Sequence, residues 1–334
     1  MPIARAAPVR AAEYRDDDPE PDRELSSRDR PVVKRNSLLD FDDDELTDDE
    51  RKEKRRLERL WNECKPAKTG ATTLAYAYGI DAIAYLLGFL YLVVASFGAP
   101  IGLIALGGVG LHVVALFVQI VALGFCCRGP RQARGIAIFG LITTVMALLT
   151  LVVAGFYASL GLNVIGKGGG LFEGGSVGHG DMTLWLLAPL APALEMLSFP
   201  LWLADGTFRG GAWFMFVPGL FDIARHTYAT VLMRHYCEEG KAPTLGWTIS
   251  RFMTRIYAAF GSFFVTRLIA CGIIASAFAT RDDSALLIFL GLSYAGGIAG
   301  LAVAMVAQAY ALTDAAEVID YKRFALKSGR LDVV

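Results

Sequence analysis

Five apolar runs, roughly residues 72–97, 101–126, 136–160, 256–279 and 285–312, dominate this chain. Each is long enough to cross a hydrocarbon layer, which takes about 20 residues of helix. Nothing else in the sequence restricts the fold as strongly. A chain with five such runs cannot bury them all in a water-soluble domain of 334 residues, and the backbone of a spanning run must satisfy its own hydrogen bonds as a helix. The expected fold class is therefore all-α, a polytopic membrane helical bundle. A hydrophobic fraction of 54% and a mean hydropathy of +0.44 agree with it.

A sixth apolar zone, residues 183–232, is harder to divide. Its first part, TLWLLAPLAPALEMLSFPLWLADG, is interrupted by Pro189, Pro192 and Pro200. Its second part, PGLFDIARHTYATVLMRH, carries Asp222, Arg225 and His226. Basic residues arbitrate, because short cytoplasmic loops collect Lys and Arg. Four segments are basic: 51–68, then Arg128, Arg131 and Arg134, then Arg234 to Arg255, then Lys322 to Arg330. All four lie on one side only if the zone crosses an odd number of times. The expectation is six spans, with 183–204 as the fourth and 218–236 as an interfacial helix. On a helical wheel Leu220, Phe221, Ala224 and Val231 then share the apolar arc, and Asp222, Arg225 and His226 form ordinary surface pairs on the other. A seven-span alternative keeps 212–233 as a further crossing. Both termini face the cytoplasm, and the membrane is read as a bacterial inner membrane.

The N-terminal region differs sharply. Residues 1–50 hold 16 acids against 8 bases, and residues 51–68 hold 8 bases against 3 acids. The first 46 residues have too little apolar surface to offset chain entropy and are expected to be a disordered acidic arm. The island SLLDF, Ser37 to Phe41, is its one candidate partner-binding element. No secretory signal is expected, since MPIARAAPVR lacks an apolar core. Thr47 and Glu50 have capping-box spacing, and Leu57, Leu60, Trp61 and Cys64 follow at i, i+3, i+4 and i+7. Residues 47–65 thus read as a basic amphipathic helix on an anionic membrane face, stopped by Pro66. Residues 313–334 read as a cytoplasmic tail.

Polar groups inside hydrocarbon are costly unless paired. Asp81 lies about 14 Å into the first span and Arg267 about 16 Å into the fifth, at 1.5 Å per residue. Glu195 falls near the middle of the fourth span, and His112 sits close to the same level in the second. Asp81, Glu195, Arg267 and His112 are the expected intramembrane polar cluster, serving either as a substrate, ion or proton site or as buried pairs that fix helix register. Gly296 and Gly300 have GxxxG spacing and are the expected close-packing positions, toward a neighbouring helix or another copy of the chain.

No catalytic residue, metal site or cofactor is expected. The five cysteines form no CxxC pair, and no GxSxG, HExxH or CxxCH string occurs. Gly161, Gly166 and Lys167 begin a GxxxxGK pattern, but Gly168 replaces the hydroxyl residue and a span replaces the strand. The leading function is a permease or channel for a small solute or an ion. The alternative is a non-catalytic scaffold or assembly subunit that binds partners through the acidic arm. Membrane lipids are the first expected partner, then a protein at the arm and a second copy of the chain, with no nucleic acid.

Overall fold

The computed structural model describes residues 47–96, 102–165, 212–277 and 284–327, which fall within one compact unit, residues 36–334. The described residues form six helices and no strand. They are α1 (Asp48–Ser96), α2 (Gly102–Cys126), α3 (Arg131–Ile165), α4 (Ala212–Glu239), α5 (Pro243–Ala277) and α6 (Ser284–Lys327). Among the described residues, four helices are long and apolar enough to cross a membrane, in α1, α2, α3 and α6. The acidic arm, residues 183–204 and Glu195 lie outside the described residues.

The helices form two layers. α1 packs against α2 on one flank and α6 on the other, and α4 packs in the same way between α3 and α5. Contacts of α2 with α3 and of α5 with α6 join the layers at their edges. The two central helices, α1 and α4, face each other. Close approaches fix the directions. Gly70 lies against Ala122 and Cys126, and Gly108 against Ala84, so α1 and α2 are antiparallel. Gly129 lies against Tyr236 and Gly140 against Tyr228, so α4 runs back along α3. Gly246 touches Arg234 and Cys237, which makes α4 and α5 an antiparallel hairpin.

One end of the bundle, here the basal end, therefore gathers four chain segments. Arg134 reaches Glu63 at 3.2 Å, Lys68 meets Asp320 at 2.8 Å, and Lys322 lies 3.7 Å from Glu239. The guanidinium of Arg323 sits 4.3 Å from the centre of the Trp61 ring. These contacts bring all four basic segments to one end, as the charge argument requires. The helix that returns the chain to this end is α4.

Three sequence expectations are corrected here. Pro66 does not stop a helix: α1 is one element of 49 residues that runs from the capping box to Ser96. Proline in a helix interior costs about 3 kcal/mol; here Leu57, Cys64 and Ala67 are buried on both sides of it and join the common core, which holds the two halves in line. The stripe of Leu57, Leu60, Trp61 and Cys64 is thereby covered by protein, with Trp61 against α6. Residues 313–327 are likewise not a separate tail but the last turns of the 44-residue α6. At 1.5 Å per residue, α1 and α6 are about 70 Å and 65 Å long, twice a hydrocarbon layer of about 30 Å. Their ends, α1 before Lys68 and α6 after Asp320, pair with each other and with Arg134 of α3 and Glu239 of α4.

Core composition follows from this close spacing. The buried faces of α1 and α6 are rich in alanine, including Ala67, Ala71, Ala77 and Ala84 on α1 and Ala295, Ala304, Ala311 and Ala315 on α6. Small side chains let helix backbones approach where lipid supplies no hydrophobic drive for association. The outer faces are the reverse of a soluble protein: Leu103, Phe117, Val152 and Val303 are each more than half exposed.

Candidate functional site: a charged chain between the central helices

On α1, Tyr78, Asp81 and Tyr85 follow at i, i+3 and i+7, one face of a helix, and all three are fully buried. His112 and Gln119 of α2 are seven apart and share a face by the same rule. Asp222, Arg225 and His226 of α4 are also buried. These three faces converge between the layers.

A continuous set of polar contacts results. His112 Nδ1 lies 2.7 Å from Asp81 Oδ1. Gln119 donates through Nε2 to Asp81 Oδ2 at 3.5 Å, and its Oε1 accepts a short hydrogen bond from Arg225 Nη1. Arg225 Nε donates to Asp222 Oδ1 at 2.6 Å, while its Nη2 stands 3.5 Å from Asp81 Oδ2. That last contact is within ion-pair range but makes no aligned hydrogen bond. His226 Nε2 is 3.9 Å from Asp222 Oδ2, and its Nδ1 is 2.9 Å from Tyr78 Oη. With the tyrosine donating to Nδ1, the proton of His226 sits on Nε2 and points toward the carboxylate. Phe252 of α5 packs edge-on against both the Tyr78 and His226 rings and closes this end of the chain. The Tyr85 ring, 5.7 Å from that of His112, closes the other.

Two carboxylates and one guanidinium, all nearly inaccessible to solvent, are held here. Buried ions of this kind repay their desolvation only when mutual attraction and hydrogen bonds are both present. Arg225 meets that demand with its planar fork, reaching Asp222, Gln119 and Asp81 at once. Some buried polar atoms are nonetheless without a hydrogen-bond partner: Tyr85 Oη, His226 Nε2, Thr230 Oγ1 and Gln308 Nε2.

Of the expected cluster, Asp81 and His112 are brought together. Arg267 is on α5, but its side chain lies outside the described residues, as does Glu195. The cation found beside Asp81 is Arg225, which sequence reasoning had placed on a surface arc. That assignment is corrected: Asp222, Arg225 and His226 face the bundle interior, and it is Leu220 and Val231 that are exposed. A helical wheel separates polar from apolar arcs identically whether the polar arc meets water or a charged interior. Gln119 was also missed, although its seven-residue spacing from His112 marks a common face.

Gly296 and Gly300 lie on an exposed face of α6, and a β-carbon at either would touch nothing within 4 Å. The glycines that sit against other helices are elsewhere: a β-carbon on Gly70 would collide with Cys126 Sγ and approach the Ala122 carbonyl to 2.8 Å, and one on Gly108 would lie 3.1 Å from the Ala84 carbonyl. No group of three or more metal-ligating side chains occurs among the described residues. Searches of family descriptions, curated proteins and solved structures find no match to this chain, so its apolar helices and this buried charged chain are what characterise it.

Proposed function

We propose that this chain is a multi-pass membrane permease for a small solute or ion, with the six helices α1–α6 crossing the bilayer and the charged chain as its central site. The observation that carries this reading is the complete burial of Asp81 and Arg225 between the layers. Arg225 occupies the middle of α4, about 20 Å from either helix end at 1.5 Å per residue. Ionisable groups at such depth, facing a bundle interior, mark substrate and ion pathways. The basal end, with its four basic segments, is then the cytoplasmic face.

Reconstituted vesicles test the reading. Protons, sodium, potassium and chloride are followed with entrapped dyes, and uncharged solutes by vesicle swelling. The expected result is flux above that of empty vesicles for at least one of them, lost in Arg225→Leu, with Arg225→Lys, which keeps the charge without the fork, intermediate. A wild-type protein that passes none of these sinks the proposal.

A second reading, the scaffold, draws support from the basal end of α6, where Tyr321 and Phe324 are exposed at 55% and 64%. Removal of residues 1–46 separates the two readings. A scaffold loses its captured partners, and a permease keeps its flux.

A further inference from the structure

We propose that the ion handled by this site is the proton, held between His112 and Asp81 and exchanged one at a time. This rests on the permease reading and names its cargo. The argument begins with charge. Asp81 and Asp222 bring two negative charges into the interior, and Arg225 brings one positive charge. Among the described residues, with both imidazoles neutral, these groups sum to a formal charge of −1. The other buried polar side chains near it, Gln119, Thr144, Thr230 and Gln308, are uncharged. Tyr78 and Tyr85 face it from α1 as phenols. Among its described side chains α5 contributes the apolar Phe252 and Ile256, that of Arg267 lying outside them, and Glu63, the remaining buried acid among the described residues, is matched at the basal end by Arg134.

An unbalanced charge in a low-dielectric interior attracts one compensating cation and no more. Asp222 is already closed onto Arg225 at 2.6 Å, so the free share of negative charge lies on Asp81, whose link to Arg225 is longer at 3.5 Å. The group in contact with it is His112, at 2.7 Å. Imidazole is the side chain whose charge changes in the physiological range, and one proton on this pair brings the whole site to neutrality.

Further buried polar atoms without partners surround this level. Gln308 lies twelve residues before Asp320, and Ile80 twelve after Lys68. Since Lys68 pairs with Asp320 across antiparallel helices, Gln308 is level with Ile80, next to Asp81. Gln308 Nε2, Thr230 Oγ1, His226 Nε2 and Tyr85 Oη are buried at or near this level and unpaired. Buried polar atoms in that state are the normal partners of internal water. The proton is taken up from water on one side, held between Nδ1 of His112 and Oδ1 of Asp81, and released to water on the other; no other bond is made or broken.

Two measurements decide this. Vesicles loaded with a pH-sensitive dye and driven by a potassium diffusion potential report proton entry. Wild type is expected to acidify the lumen, and His112→Gln to slow this by about a hundredfold, the scale of a lost proton-transfer group. Magnetic resonance of protein labelled with nitrogen-15 at histidine, in lipid, reports ring protonation directly in the unmodified chain and needs no variant to fold. His112 is expected to be found both as imidazole and as imidazolium across the pH range sampled. Its resonance is assigned by its loss in H112Q, or by elimination in H179Q, H226Q and H235Q. A His112 ring fixed in one state over that range, or wild-type proton entry in H112Q, overturns the inference. If sodium, potassium, chloride or an uncharged solute still moves in that case, the permease reading survives without it. If nothing moves, both fall.

Discussion

Arg225 is the residue on which the interior depends. It is fully buried and is the only cation in contact with the two interior carboxylates among the described residues. Arg225→Leu leaves Asp81 and Asp222 as unpaired buried charges, and removing one partner of such a set costs about 3–5 kcal/mol. A shift of that size is expected in unfolding from mixed micelles. Adding Asp222→Asn to Arg225→Leu recovers part of the loss, because one stranded charge is then removed; a double variant no more stable than the single one contradicts this account. Asp81 and His112 could be found from the sequence because each is an isolated polar residue in an apolar run, where burial follows from position alone. Asp222, Arg225 and His226 could not. Their i, i+3 and i+4 spacings are equally those of a solvated helix face, and only the arrival of Asp81 and Gln119 from α1 and α2 distinguishes the two.

At the scale of the element, the start of α1 and the turn after α4 show how local chemistry sets helix ends. Thr47 N donates to Glu50 Oε2 at 2.8 Å, the Thr47 hydroxyl donates to the same oxygen at 2.7 Å, and Glu50 N approaches Thr47 Oγ1 at 3.4 Å. This is a reciprocal capping box. The bonds from Thr47 hold the Glu50 carboxyl below its ordinary value of 4.5. A lowered folded value stabilises the helix start above the ordinary glutamate range and loses that effect as pH falls through the folded value. The first turns of α1 are thus expected to fray as pH falls below the ordinary glutamate range, seen as faster amide exchange at Arg51 and Lys52, and Thr47→Val should abolish that pH dependence. After α4, Lys241 adopts a φ of 57°, the left-handed region. Gly240 N bonds the Tyr236 carbonyl and Ala242 N the Cys237 carbonyl, so the turn is closed around this residue. A β-carbon in that region costs about 1–2 kcal/mol. Lys241→Gly should therefore raise the unfolding midpoint, and an unchanged or lower midpoint would show that the lysine side chain supplies more than its backbone strain costs. Pro66 is the counter-example to local rule. Its position predicts a helix end, but packing on both sides keeps α1 whole, and that packing comes from α6, more than two hundred residues away in sequence.

For the whole molecule, the decisive question is which surface of the chain each position meets. Single-cysteine variants in a background without the native cysteines answer it in cells. Positions 128, 241 and 323 should all react with a membrane-impermeant reagent from the same side, and positions 142, 152 and 303 from neither. Reaction of 128 and 241 from opposite sides would show that α4 does not return the chain across the membrane. Gly70→Ala belongs to this scale too, since its β-carbon must displace the α2 backbone at Ala122. Overpacking of that kind costs about 1–3 kcal/mol, and the α1–α2 pair should separate before the rest of the bundle.

Hydropathy is a property of one segment at a time, so the sequence alone determined the helical class and the long apolar elements, and it singled out Asp81 and His112 as polar residues within them. Partnership is a property of two segments, and no single-segment measure contains it. Only the tertiary structure decided that α4 runs back along α3, that α1 passes through Pro66 to pack along α6, and that the cation opposite Asp81 is Arg225. The physical reason is that a buried charge has no preferred neighbour in its own sequence window; it takes the partner that packing brings within reach.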